Sequence, residues 1–323
     1  MFPEHPIQKP LRVGFFGTPE FAATCLQALI DSQFNVVGAV TAPDKKAGRG
    51  QHIKQSDVKQ LADIRGIQTL QPQNLKSPAF LSALNDWSCD VFIVVAFRML
   101  PESVWNAPPY GSINLHASLL PQLRGAAPIQ WAIMHGLKKT GITTFSLQHE
   151  IDAGDILMQE EIDISNDETA ASLHDKLLDR GKDLVITTLN HLAQGKLRPL
   201  EQKKMKQSPL LSAPKLNSIN TRINWSLSAE SVRLKVNALY PFPKAWTPTP
   251  FGDFKVQKVR ISEKDFGLPN ADVGTSRVEQ NCLFIKCADG WIEILELTPP
   301  GKRAMSGGAW LNGLNTAPGI WGV

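Results

Sequence analysis

The sequence predicts two folded parts: an open, mostly parallel α/β sheet and, after a polar connection, a smaller β-barrel. Three observations carry this expectation. Apolar runs at 11–17, 35–40 and 90–96 alternate with helical patterns, as in βαβ units. Residues 195–214 are polar, contain Pro199, Pro209 and Pro214, and cluster Lys203, Lys204 and Lys206, the composition of a linker. Beyond residue 250, short alternating runs separated by turn signals suit a small barrel.

The elements follow in order. LRVGFFG, residues 11–17, is a buried-strand pattern that stops at Gly17-Thr18-Pro19. A helix over 20–32 places Phe21, Cys25, Leu26, Leu29 and Ile30 on one face, and 35–40 is the next strand. The turn after the first strand lacks G-x-G-x-x-G, which argues against a dinucleotide site. Residues 43–55, PDKKAGRGQHIKQ, read as a basic loop at a strand's carboxyl end, where α/β sheets bind ligands. Helices are expected over 56–65 and 80–84, with a short strand at 68–70, and DVFIVVA, 90–96, reads as the most buried strand. A helix over 129–135 behind the following loop, strands at 141–147 and 156–159, and a long amphipathic helix over 169–192 complete this part. Thereafter a helix over 229–238 precedes strands at 253–259, 274–279, 283–287 and 291–297.

Composition narrows the function classes. At 42% hydrophobic and 20% charged residues the chain is an ordinary globular protein able to bury a large core. It has no apolar run of about 18 residues, and its first dozen residues suggest no signal or transit peptide. The four cysteines, Cys25, Cys89, Cys282 and Cys287, show no metal-ligand spacing and suit reduced thiols in a cytoplasmic protein. Charge is uneven: residues 205–323 hold 14 Lys and Arg against 9 Asp and Glu, a mild footprint for a polyanionic partner.

The stretch GSINLHASLLPQLRGAAP, 111–128, concentrates the chemistry. Alternation on a strand puts Asn114 and His116 on one face and Ile113 and Leu115 on the other. An amide and an imidazole side by side can polarise a carbonyl and shuttle a proton. Asp152, in the turn between two strands, offers a carboxylate to orient that imidazole and raise its basicity. Glu150 and Asp155 read as surface and turn residues.

These residues resemble a known family. Gly17-Thr-Pro-Glu-Phe21, Pro43-Asp44 through Gly48-Arg-Gly50, Asn114-Leu-His116, Ser118-Leu-Leu-Pro121, Arg124-Gly-Ala-Ala-Pro128, Asp152-Ala-Gly-Asp155, Asn224-Trp225 and Gly301-Lys302 resemble the motifs of the methionyl-tRNA formyltransferases. The likeness runs over roughly residues 10–315, and the N-x-H, S-L-L-P and D-x-G-D set is that of the 10-formyltetrahydrofolate-dependent formyltransferases. It implies a Rossmann-like catalytic domain at 10–196, a linker at 197–215 and an OB-like, tRNA-binding barrel at 216–323. It implies transfer of a formyl group from 10-formyltetrahydrofolate to the α-amino group of methionyl initiator tRNA, without a metal, by a cytoplasmic monomer. Asn114 and His116 are then expected to stabilise the formyl oxygen, and Asp152 to pair with His116 and handle the amine's proton. Phe97, Met99 and Ser118, Leu119, Leu120 and Pro121 are expected to line the pterin pocket. Phe97-Arg98-Met99-Leu100 departs from the Tyr-Gly-type segment of many members. Lys45, Lys46, Arg49, Lys302 and Arg303 are expected to contact tRNA. Two other readings exist: formylation of an amino-sugar nucleotide, and a non-catalytic nucleic-acid-binding protein. The first gives no need for basic features on both parts, and the second none for Asn114, His116 and Asp152 together.

Overall fold

A computed structural model describes residues 2–47, 52–205, 209–264, 266, 271–314 and 317–322, with only the backbone of Lys46, Ala47 and His52. In chain order the first elements are β1 (Arg12–Gly17), α1 (Glu20–Asp31), β2 (Asn35–Val40), β3 (Lys45–Ala47), β4 (His52–Lys54), α2 (Asp57–Arg65), β5 (Thr69–Leu70), α3 (Pro78–Asp86) and β6 (Val91–Val95). There follow α4 (Glu102–Trp105), β7 (Ser112–His116), β8 (Arg124–Gly125), α5 (Pro128–Met134), β9 (Lys139–Ser146), β10 (Ile156–Asp163) and α6 (Ala170–Ala193). The last are β11 (Ser212–Ala213), α7 (Ala229–Ala238), β12 (Ala245–Thr249), β13 (Gly252–Ser262), β14 (Ser276–Glu279), β15 (Cys282–Lys286), β16 (Trp291–Thr298), β17 (Met305–Ser306) and α8 (Gly307–Leu311).

The chain divides into two compact units. The first comprises residues 1–125, 140–162 and 175–212. It holds a seven-stranded sheet of order β10-β9-β7-β6-β1-β2-β5. Strands β5, β2, β1, β6 and β7 run parallel, and β9 joins β7 antiparallel. Every residue of β6 is buried, because helices cover both faces of a parallel sheet. Successive strands step outward from β1 to β5, and the chain then returns to β6 on β1's other side. The carboxyl ends of β1 and β6 therefore flank the point where strand order reverses, which is where open α/β sheets bind ligands. At that point the Phe16 ring packs against Phe92 at 4.9 Å and edge-on to Phe97 at 5.7 Å.

The second unit comprises residues 126–139, 163–174 and 213–323. Its six strands form an antiparallel sheet of order β12-β13-β16-β15-β14, with β17 on β16. Phe254, Trp225, Trp310 and Trp321 meet in its core, three of these rings within 6 Å of one another. A bulge at Gln257 interrupts the alternation of β13, and Lys255, Lys258 and Arg260 all stay exposed.

Several local expectations change. The basic stretch is partly a hairpin, in which Lys45 pairs with Lys54. The β12 edge strand escaped sequence reading because Pro248 interrupts it, and proline is tolerated only where a strand has a free edge. The expected helix behind the 124–128 loop is present as α5, and it packs on α7. Trp131 Nε1 donates to Pro214 O at 2.8 Å, and a Cβ on Gly136 would meet Leu234 at 3.2 Å.

Candidate active site

The β7 strand carries Asn114 and His116 between two neighbours: Asn114 lies opposite Val94 of β6 and Phe145 of β9, and His116 opposite Thr143. Asn114 is half-buried and His116 buried, its ring edge-on to Phe145 at 6.4 Å. Their parity is as the alternation requires. Leu115 faces the other way, within 3.0 Å of where a Cβ on Gly181 of α6 would sit.

Beyond His116 the chain makes a strapped turn. Ser118 Oγ donates to Gln122 O at 2.6 Å. Thr143 Oγ donates to Ser118 O and accepts from Leu120 N, and Gln159 Nε2 donates to Leu120 O. Ser118, Leu120 and Pro121 are thereby buried inside the turn, while Leu119 lies against Gly141. The turn ends at Leu123, whose positive φ of 58° aims its carbonyl at His116 Nε2, 3.0 Å away. A carbonyl only accepts, so Nε2 carries the hydrogen and the neutral ring keeps its lone pair on Nδ1.

That Nδ1 faces Asp152. The Nδ1–Oδ2 separation is 3.9 Å, and both side chains are largely shielded from solvent. Asp152 adopts a left-handed conformation, φ 51°, in the β9–β10 connection. Its Oδ2 accepts from Gly125 N at 2.9 Å, and Gly125 has φ 128°, which only glycine adopts without strain. Two further residues complete the frame and carried no sequence signal. Thr143 sits in a stretch, 141–147, that reads only as an alternating strand, and Gln202 sits in one whose composition reads as a linker.

At the carboxyl end of β6, Ala96 turns the chain with φ 46°. Phe97 packs on Phe16, Arg98 stacks over Phe97 and donates to Gln73 O at 2.9 Å, and Met99 is 72% exposed. Lys45 is exposed on β3, and Lys302 and Arg303 are exposed in the β16–β17 turn. Arg49 and the side chain of Lys46 lie outside the described residues. Among the described residues, no cluster of three His, Cys, Asp or Glu side chains is arranged to hold a metal, and no helix is long and apolar enough to cross a membrane.

The matches of two family models and a near-full-length relative place the chain in the formyl transferase family. Residues 11–189 match the family described as Formyl transferase, and 215–315 its C-terminal domain. A Bacteroides thetaiotaomicron protein named methionyl-tRNA formyltransferase is 42% identical over 317 residues, covering 97% of this chain and 98% of that protein. The fold also resembles a HypX variant from Aquifex aeolicus, TM-score 0.64 at 18% identity, covering 96% of this chain. This chain spans 49% of that longer one. WlaRD, a sugar 3N-formyl transferase solved with dTDP and 5-N-formyl-THF, superposes with TM-score 0.65 at 15% identity, covering 91% of this chain and all of that one.

Proposed function

We propose that this chain transfers the formyl group of 10-formyltetrahydrofolate to the α-amino group of methionine carried by initiator tRNA. The observation that carries the reading is 42% identity, over 97% of this chain, to a protein named methionyl-tRNA formyltransferase. The His116–Asp152 geometry gives it a chemistry. The Asn114 amide donates to the formyl oxygen as negative charge grows there, an interaction worth ~3 kcal/mol in other acyl transfers. The attacking amine forms its bond to the formyl carbon and gives a proton to Nδ1 of His116, the basic nitrogen left by the Nε2–Leu123 bond. Asp152 stabilises the resulting imidazolium. The formyl–nitrogen bond to the donor then breaks, and His116 returns the proton to that nitrogen.

The folate is proposed to lie between the Phe97–Met99 segment and the turn of Ser118, Leu119, Leu120 and Pro121. An aromatic side chain, an exposed thioether and a rigid turn beside the switch point suit a flat ring. Residues 10–196 are proposed as the catalytic domain and 216–323 as the tRNA-binding one, joined by 197–215. Lys45, Lys46 and Arg49 in the first unit, and Lys302 and Arg303 in the second, are proposed to touch tRNA phosphates. The chain is proposed to act as a cytoplasmic monomer. Formylation assays with methionylated initiator tRNA, methionylated elongator tRNA and a nucleotide-linked amino sugar test the reading. Turnover of the initiator tRNA well above both alternatives is expected, and turnover of the amino sugar alone would overturn it.

A further inference from the structure

Gln202 is 97% buried in a segment that sequence composition marks as a connector, and its carboxamide makes four hydrogen bonds. Nε2 donates to Asp152 O at 2.9 Å and to Gly154 O at 2.7 Å. Oε1 accepts from Arg124 Nε at 3.0 Å and from Arg124 Nη2 at 2.7 Å. The amide's orientation follows from its partners, since guanidinium groups only donate and carbonyls only accept. Both hydrogens and both lone pairs are used, so no rotation of the group preserves the set. Gln202 is itself fixed by the paired bonds between Ile156 and Leu200, at 2.9 and 2.8 Å.

These contacts close a ring around one carboxylate. Gln202 grips the main chain of Asp152, and through Arg124 it grips the residue beside Gly125, whose N–H holds Asp152 Oδ2. We propose that Gln202 is the positioning residue of the site: its buried carboxamide ties the 124–125 and 152–154 segments together and so sets the Asp152 carboxylate against His116. The left-handed Asp152 backbone needs such a tie, because a non-glycine residue there persists only where its surroundings over-determine it. The Nδ1–Oδ2 separation of 3.9 Å is close enough for charge coupling and short of a hydrogen bond, so drift of the loop weakens it directly. Glu150, 3.6 Å from Arg124 Nη1 and itself 63% exposed, is too solvated to substitute for the amide.

The inference rests on the reading of His116 and Asp152 given above, and the test separates the two. Gln202→Met keeps length and removes every hydrogen bond, and Gln202→Asn stays polar and cannot span both segments. Thermal midpoints, kcat and the folate KM are measured for wild type, Gln202→Met, Gln202→Asn, Asp152→Asn and each Gln202 change combined with Asp152→Asn. A folded Gln202 variant is expected to lower kcat about 10-fold or more with the folate KM within about twofold, and to cost little further kcat once Asp152 is already Asn, because it acts through that carboxylate. If Gln202→Met does not fold, Gln202→Asn decides. A lowered thermal midpoint with kcat near wild type would mean a merely structural glutamine and overturn the proposal, as would a kcat loss of the same size in the Asp152→Asn background. Wild-type turnover in His116→Ala or Asp152→Asn would instead overturn the catalytic reading.

Discussion

His116 is held from both sides of its ring: Leu123 O takes the Nε2 hydrogen at 3.0 Å, and the Asp152 carboxylate stands 3.9 Å from Nδ1. The first contact selects the tautomer with its hydrogen on Nε2, and the second leaves Nδ1 facing a carboxylate. The Leu123 carbonyl and the Asp152 carboxylate thus hold the ring between them.

Replacing Asn114 or His116 with Ala, or Asp152 with Asn, should lower kcat by ~100-fold or more while far-UV circular dichroism stays native. Steady-state formylation by each purified variant checks this, and His116→Ala within a few-fold of wild type would remove the residue from the chemistry.

Gly154 should tolerate no side chain. A Cβ there would sit 1.7 Å from Ser146 O, a backbone atom that cannot swing aside. Gly154→Ala is expected to cost about 3 kcal/mol in denaturant unfolding and to displace the Asp152 loop, lowering kcat as well. A variant with native stability would show that the loop re-forms around the methyl group.

Lys302 and Arg303 lie exposed in the second unit, remote in sequence from the proposed chemistry. Exchanging both for Ala should leave folate binding intact and reduce the slope of log affinity for tRNA against log salt by roughly 2. The measurement is a tRNA binding series over ionic strength, and an unchanged slope would place the phosphates elsewhere.

The thiols of Cys25, Cys89 and Cys287 should be inert in the folded protein. Burial pushes each up to about 12, far above the ordinary thiol range, so almost no thiolate exists near neutrality. Ellman titration should detect none of the three before denaturant is added and all of them afterwards.

Asn114 and His116 were legible in the sequence because a strand's period of two forces them to one face, and β7 obeys that rule between two paired neighbours. The order of the units was legible too, because apolar runs such as VFIVV and the later alternating runs differ in period and company. Chain order alone did not reveal β12, whose Pro248 hides an edge strand, or the packing of α5 on α7. Gln202 was the least visible of all. Its value depends on what Ile156 and Leu200 bring beside it, and a lone glutamine among lysines announces nothing. Periodicity is a local property of the chain and survives in the sequence, so strands, helices and the Asn114–His116 face were determined there. Hydrogen bonds between segments 27 to 78 residues apart, such as Gly125 to Asp152 and Arg124 to Gln202, exist only once tertiary packing excludes water and presents each donor to its acceptor.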